Sequence, residues 1–172
     1  MSSITVREAH PQDFEAVARL TVAAYRADGQ LSPGHPYEKT LSDVPARAAG
    51  GELLVAEDSF TGALVGTVLF VLPGTRYAEL SGPGEAEFRM LAVDPAAQGR
   101  GVGETLVRAC LDRAADLSCR AVVIYTRDRA EAAQRLYTRL GFERMPERDW
   151  TPLPGVHLFA LRVGLPARDV RE

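Results

Sequence analysis

The sequence predicts an α/β fold: a mixed, mostly antiparallel sheet of six to seven strands, with helices on both faces and a β-α-β unit at its centre. Three observations carry this prediction. Branched, strand-like runs at 52–58, 63–72 and 85–93 follow one another across turns, as a meander does. The last run passes through a glycine-dense loop into an amphipathic helix and then into the apolar run Ala121 to Thr126, which is the order of a parallel crossover. A chain of 172 residues is also long enough to bury a core without disulfides or metals, so 1–165 read as one domain and 166–172 as a frayed tail.

Ile4 to Ala9 alternates apolar and polar side chains and reads as a first strand. Pro11-Gln-Asp opens a helix through about Ala27, with Phe14, Val17, Leu20 and Ala24 at helical spacing. From Asp28 to Gly51 the pattern weakens, and Gly29, Pro33, Gly34, Pro36 and Pro45 punctuate a short helix near Tyr37 to Asp43. Glu52 to Asp58 and Ala63 to Leu72 form a hairpin around a Ser59-to-Gly62 turn, and the loop Pro73 to Gly84 leads into the strand Glu85 to Val93. After the central helix and the Ala121 to Thr126 strand, a helix runs from about Ala130 to Leu140 and is stopped by Gly141. Phe142 to Arg144 and Val156 to Val163 supply the last strands, around a proline-rich excursion.

The net charge of −3 lacks the basic balance of a nucleic-acid binder. Lys39 is the only lysine, an arginine bias that reads as composition rather than chemistry. The N-terminus has no signal-peptide pattern and no apolar run approaches the ~18 residues of a membrane span, so the expectation is a cytosolic protein with no membrane partner. Cys110 and Cys119 lie on or just past one helix, about 13 Å apart in rise, beyond the ~7 Å limit for a disulfide.

The stretch Glu85 to Leu117 organises the chain. Gly99, Gly101 and Gly103 sit where a helix begins, so several N–H groups converge at the positive end of its dipole, as in an anion seat. A Walker A loop needs Gly-Lys-Ser/Thr, whereas Gly103 is followed by Glu104 and Thr105. A dinucleotide fingerprint needs a third glycine where this chain has Glu104 or Leu106. Both nucleotide readings fail.

What remains is Gln98-Gly-Arg-Gly101-Val-Gly103, directly after Leu91-Ala-Val-Asp-Pro95 and well before Leu136-Tyr137-Thr-Arg-Leu-Gly141-Phe142. These motifs resemble the acyl-CoA pyrophosphate loop, written Gln/Arg-x-x-Gly-x-Gly/Ala, and its companions in the GCN5-related N-acetyltransferase (GNAT) superfamily, across residues 85–143. The resemblance implies a GNAT-like sheet, acetyl-CoA as acyl donor, an amine acceptor and no metal; dimerisation is common in the superfamily, so a homodimer is compatible. It implies a cofactor seat at Gln98, Gly99, Arg100, Gly101, Val102, Gly103 and Glu104, with Arg100 adding charge. It also implies that pantetheine lies along the main chain of Leu91, Ala92 and Val93, where that strand splays from the Ala121 strand.

Acetyl transfer to an amine poses two proton problems. An alkylamine with a pKa near ~10.4 must lose a proton, and the departing thiolate, near ~8.5 by analogy with cysteine, benefits from gaining one. Glu87 stands where some members of the superfamily carry a glutamate base acting through water; read from the residues alone, it is equally an edge charge or an arginine pair. Glu85 and Asp94 are weaker candidates. Tyr137 matches the family tyrosine proposed as general acid, although Ala133, Leu136, Tyr137 and Leu140 also form an apolar helix face. Ala130 departs from the family, which often has a cofactor-contacting asparagine there, and Arg127 or Asp128 could supply that contact.

His10, His35 and His157 have no metal-ligand spacing, and Glu104, Arg108, Asp112 and Asp116 read as a solvated stripe. Tyr37 and Trp150 lie in regions that flank the acceptor in this family. The competing class is a non-catalytic acyl-CoA sensor or interaction module that keeps the seat without an acid–base pair.

Overall fold

A computed structural model describes residues 3–167; the expected tail from 168 onward lies outside them. Among the described residues the order is β1 (Ile4–Glu8), α1 (Phe14–Ala27), α2 (Tyr37–Ser42), α3 (Val44–Gly50), β2 (Glu52–Asp58), β3 (Leu64–Val71) and β4 (Glu85–Val93). Then follow α4 (Val102–Asp116), β5 (Ala121–Arg127), α5 (Glu131–Arg139), β6 (Glu143–Arg144), β7 (Trp150–Leu153) and β8 (Val156–Gly164). The strand order is β1-β2-β3-β4-β5-β8-β6, with β7 beside β8. β4 and β5 run parallel, whereas β1 on β2, β2 on β3, and β5, β6 and β7 on β8 are antiparallel. The predicted mixed α/β sheet is present.

Two elements were not expected. Pro45 reads as a breaker, but it sits in the first turn of α3, where its missing N–H costs nothing, and Asp43 caps that helix by accepting from Ala46 N–H at 3.3 Å. β7 contains Pro152 and pairs irregularly with β8, so its sequence lacks a strand signature and the sheet has eight strands rather than six or seven.

The chain comprises two compact units, Met1–Phe70 with Met90–Ala109, and Val71–Arg89 with Cys110–Glu172. In the first, α1 buries Val17, Leu20 and Ala24 of the four positions its helical spacing predicts, leaves Phe14 half-buried and buries Thr21 as well, and Leu20 and Ala24 pack on Ala92 with Tyr25. The start of α4 comes so close to β3 that a β-carbon on Gly66 would lie 2.7 Å from Val102 Cγ1, 2.9 Å from Leu106 Cδ1 and 3.2 Å from the Ala92 carbonyl. Glycine at 66 therefore sets how near the helix start can sit.

In the second unit, Val122, Val123 and Ile124 are fully buried, which explains why β5 reads as a continuous apolar run. β5 pairs with β8 along its whole length, from Ala121↔Gly164 to Arg127↔Leu158. Its parallel pairing with β4 is short, from Glu85↔Ala121 to Glu87↔Val123, and stops there.

Gly66→Ala is expected to lower the denaturation midpoint by an amount equivalent to about 1–3 kcal/mol, because the added methyl must displace Val102 and Leu106. Chemical unfolding measures it; an unchanged midpoint would show that the contact is loose.

Candidate functional site

The loop from β4 to α4 is built by two local devices. Asp94 closes a single 3-10 turn: its carboxylate accepts from Ala96 N–H at 2.9 Å and its carbonyl from Ala97 N–H at 2.8 Å. Asp94 is thus occupied as a cap and is not placed as a base. Gly99 and Gly101 then adopt φ of 80° and 75°, the left-handed region that a β-carbon resists. A side chain at either position would meet nothing within 4 Å, so conformation rather than crowding calls for glycine there.

The first bond into α4 runs from Thr105 N–H to the Gly101 carbonyl at 3.0 Å, reinforced by Thr105 Oγ1 at 2.8 Å. Ahead of it, the N–H groups of Gln98, Gly99, Arg100, Gly101, Val102 and Gly103 find no backbone acceptor among the described residues. This row of donors at the positive end of a 15-residue helix suits an anion with several oxygens. Glu104, next in line, pairs with Arg108 at 3.7 Å.

Arg100 is anchored within the protein. Its Nη2 donates to Asp58 Oδ2 at 2.9 Å and to Ser3 Oγ at 3.1 Å, so the guanidinium ties the loop to the end of β2. The Phe60 N–H first, and the Arg100 guanidinium second, hold the Asp58 carboxyl below its ordinary range. Just before the expected pantetheine strand, Met90 takes φ of 56°, an uncommon value for a residue with a side chain, and is 4% exposed. Leu91 and Val93 follow half-buried, and Ala92 is buried.

In the second unit, Tyr137 is buried in an aromatic box, with ring centroids 6.0 Å from Phe88 and 5.6 Å from Phe142. Burial, with the Cys110 thiol adding to it, pushes its phenol above the ordinary range, so the hydroxyl keeps its proton at neutral pH. Glu87 occupies a setting that is neither a solvated edge charge nor an arginine pair. It is fully buried and accepts main-chain N–H bonds from Glu79 (3.2 Å to each oxygen), Leu80 (3.1 Å) and Ser81 (3.0 Å). Glu85 pairs with Arg148 at 3.3 Å and Arg162 at 3.6 Å.

Ala130 supplies no side-chain cap to α5, and Gln134 Nε2 instead donates to the carbonyls of Arg127 at 2.8 Å and Asp128 at 3.0 Å. Arg127 Nε and Asp128 Oδ1 are buried without a hydrogen-bond partner among the described residues. Tyr37 lies 6.2 Å from Tyr25, and Trp150 lies 6.0 Å from Tyr125 and is 46% exposed. Sequence reasoning missed Asp58, Gly66, Met90 and Gln134. Only Gly66, a glycine inside a strand pattern, carried a readable signal.

Residues 14–142 match the Acetyltransferase (GNAT) family, to which the chain belongs. It is 34% identical over 145 residues to a mycothiol acetyltransferase of Mycobacteroides abscessus, covering 82% of this chain and 46% of that protein. It is 33% identical over 149 residues to the N-alpha-acetyltransferase RimI of Mycobacterium tuberculosis, covering 83% of this chain and 91% of that protein. The chain thus spans about half the length of the mycothiol acetyltransferases it matches, at 46% and 44% of two of them. The fold is also that of yncA, a putative acetyltransferase from Salmonella typhimurium solved with its cofactor acetyl-CoA, with a TM-score of 0.68 at 23% identity, covering 99% of each chain. No helix among the described residues is long and apolar enough to cross a membrane.

Asp58→Asn should free the loop, read as lower backbone 15N order parameters at 98–103. Because the Asp58 pKa is lowered in the folded state, its stabilisation is fully present above the unfolded value near ~3.9 and is lost as pH falls below it. The variant should therefore melt lower than the parent at pH 7, with the gap closing in acid. A gap independent of pH would show that the charge plays no part.

Proposed function

We propose that this chain transfers an acetyl group from acetyl-CoA directly to a primary amine of a small molecule or peptide, in a ternary complex, with residues 1–165 acting as one functional domain. The observation that carries this reading is the open row of N–H groups from Gln98 to Gly103 at the start of α4. Its donor geometry suits a pyrophosphate, the relatives carry the names mycothiol acetyltransferase and N-alpha-acetyltransferase, and the Salmonella protein holds acetyl-CoA.

In this reading the N–H groups of 98–103 bind the pyrophosphate, with the side chains of Gln98 and Glu104 at its rim. The main chain of Leu91, Ala92 and Val93 binds pantetheine. Arg100 contributes through its tie to Asp58, which holds the loop in shape before the ligand arrives. Tyr137, kept protonated by burial, gives its proton to the departing thiolate.

A second reading, a non-catalytic acyl-CoA-binding module, is favoured by one observation: the Glu87 carboxylate is fully buried and held by the main-chain N–H groups of 79–81. Amine-dependent thiol release separates the two.

Isothermal titration should show acetyl-CoA binding, and no heat with any short acyl-CoA at millimolar ligand would sink the proposal. Tyr137→Phe should lower kcat by about a hundredfold or more while leaving the acetyl-CoA Kd nearly unchanged. Undiminished turnover would return Tyr137 to the core.

A further inference from the structure

Phe60 is 88% exposed, well beyond Leu72, Leu117, Trp150 and Leu153, the other large apolar side chains on the surface of the described residues. Trp150 at least lies against Tyr125, with ring centroids 6.0 Å apart, whereas no ring lies against Phe60 among the described residues. One exposed apolar residue is ordinary on a protein surface. What sets this one apart is how firmly its backbone is held and what it is fastened to.

Phe60 sits in the turn between β2 and β3, and that turn is bonded at nearly every residue. Ser59 N–H donates to the Ser3 carbonyl at 2.7 Å, Phe60 N–H to Asp58 Oδ1 at 2.9 Å and Gly62 N–H to the Asp58 carbonyl at 2.8 Å. Ala63 N–H donates to Thr61 Oγ1 at 3.2 Å, and Asp58 N–H closes the turn on the Ala63 carbonyl at 2.9 Å. Gly62 supplies the φ of 74° that lets the chain reverse. A ring displayed in water on so fixed a backbone is prepared for a flat partner, because little main-chain motion remains to be lost when one arrives.

The same Asp58 joins this turn to the open row of donors. Its Oδ1 takes the Phe60 N–H, and its Oδ2 takes Arg100 Nη2, whose own main-chain N–H belongs to the row. A second tie runs from Asp94 N–H, at the start of the loop, to the Val65 carbonyl of β3 at 2.9 Å. Turn, guanidinium and donor row all lie within the first compact unit. They present three chemistries in order: main-chain donors, a positive charge and an aromatic face. A nucleoside diphosphate carries the complementary series of pyrophosphate, ribose and flat base. From row to turn the bridge is one arginine side chain and one carboxylate, a span of the same order as a ribose with its base. Bases stack on exposed aromatic rings without needing hydrogen bonds to read them.

We propose that Phe60 is the platform on which the adenine of the bound acyl donor stacks. The inference rests on the acyl-CoA reading above and adds a preference to it. The nucleotide end of the donor contributes to binding, so a CoA thioester is held more tightly than the same acyl group carried on phosphopantetheine alone. No bond is made or broken at Phe60, and its role is confined to affinity for the donor.

The test titrates the whole chain, as parent, Phe60→Ala and Phe60→Trp, with acetyl-CoA and with acetyl-phosphopantetheine, which has the pantetheine arm and a phosphate but no adenosine. Thermal melts are recorded alongside, and all three proteins should melt together because the side chain is exposed. Phe60→Ala should bind acetyl-CoA about tenfold more weakly and acetyl-phosphopantetheine no more weakly than the parent does. Phe60→Trp should bind acetyl-CoA at least as tightly as the parent. In 13C-labelled parent, bound CoA should give nuclear Overhauser contacts between the adenine protons and the Phe60 ring protons. An unchanged acetyl-CoA Kd in Phe60→Ala, with or without a change in oligomeric state, overturns the inference and leaves the reading intact. So does an equal loss for both ligands, a Phe60→Trp that binds no better than Phe60→Ala, or the absence of the Overhauser contact. A parent that binds no acetyl-CoA overturns the reading and the inference together.

Discussion

A main-chain N–H that is turned away from its neighbours must find an acceptor, and much of what distinguishes this molecule follows from where it leaves such groups. At the start of α4 the helix cannot supply partners for its own first donors, and the left-handed glycines at 99 and 101 extend that deficit back through the loop. Among the described residues no side chain accepts from this row. A doubly charged, many-oxygened ligand suits these donors better than one hydroxyl would, because it answers several of them at once and adds its charge to the favourable end of the dipole.

The second row of donors is treated in the opposite way. The N–H groups of 79–81 converge as a binding loop would converge on an anion, but the anion is the protein's own Glu87, buried beneath them. One row is open and sits at a helix start. The other is closed and holds a segment rigid. The same backbone chemistry thus serves recognition in one place and preorganisation in the other, and the side chains nearby follow suit. Arg100 steadies the open loop through Asp58, and Arg89 and Arg148 steady the closed one through carbonyl oxygens.

Much of this was legible in the sequence, for identifiable reasons. β2, β4 and β8 are bounded by turn residues and alternate or run apolar, so their limits fall within a residue of the pattern. The glycine loop and Tyr137 were legible because the backbone requirement at 99 and 101 and the motif around Gly141 leave a local trace. α3 and β7 were not, since each contains a proline that is tolerated only for positional reasons: a first helical turn in one case and an irregularly paired strand in the other. The left-handed Met90 has no compositional signal at all. The settings of Arg100 and Glu87 depend on Asp58 and on the loop 79–81, contacts made through space. A charged residue in a motif therefore announced its place in the chain but not what it would touch.

The central claim is that the N–H row from Gln98 to Gly103 is a pyrophosphate seat. It is tested most directly by following the backbone amide resonances of 15N-labelled protein while adding CoA, ADP or pantetheine in separate titrations. CoA and ADP should each shift the amides of 98–103, and pantetheine alone should leave them in place. A CoA titration that moves other resonances while those of 98–103 stay fixed would contradict the account.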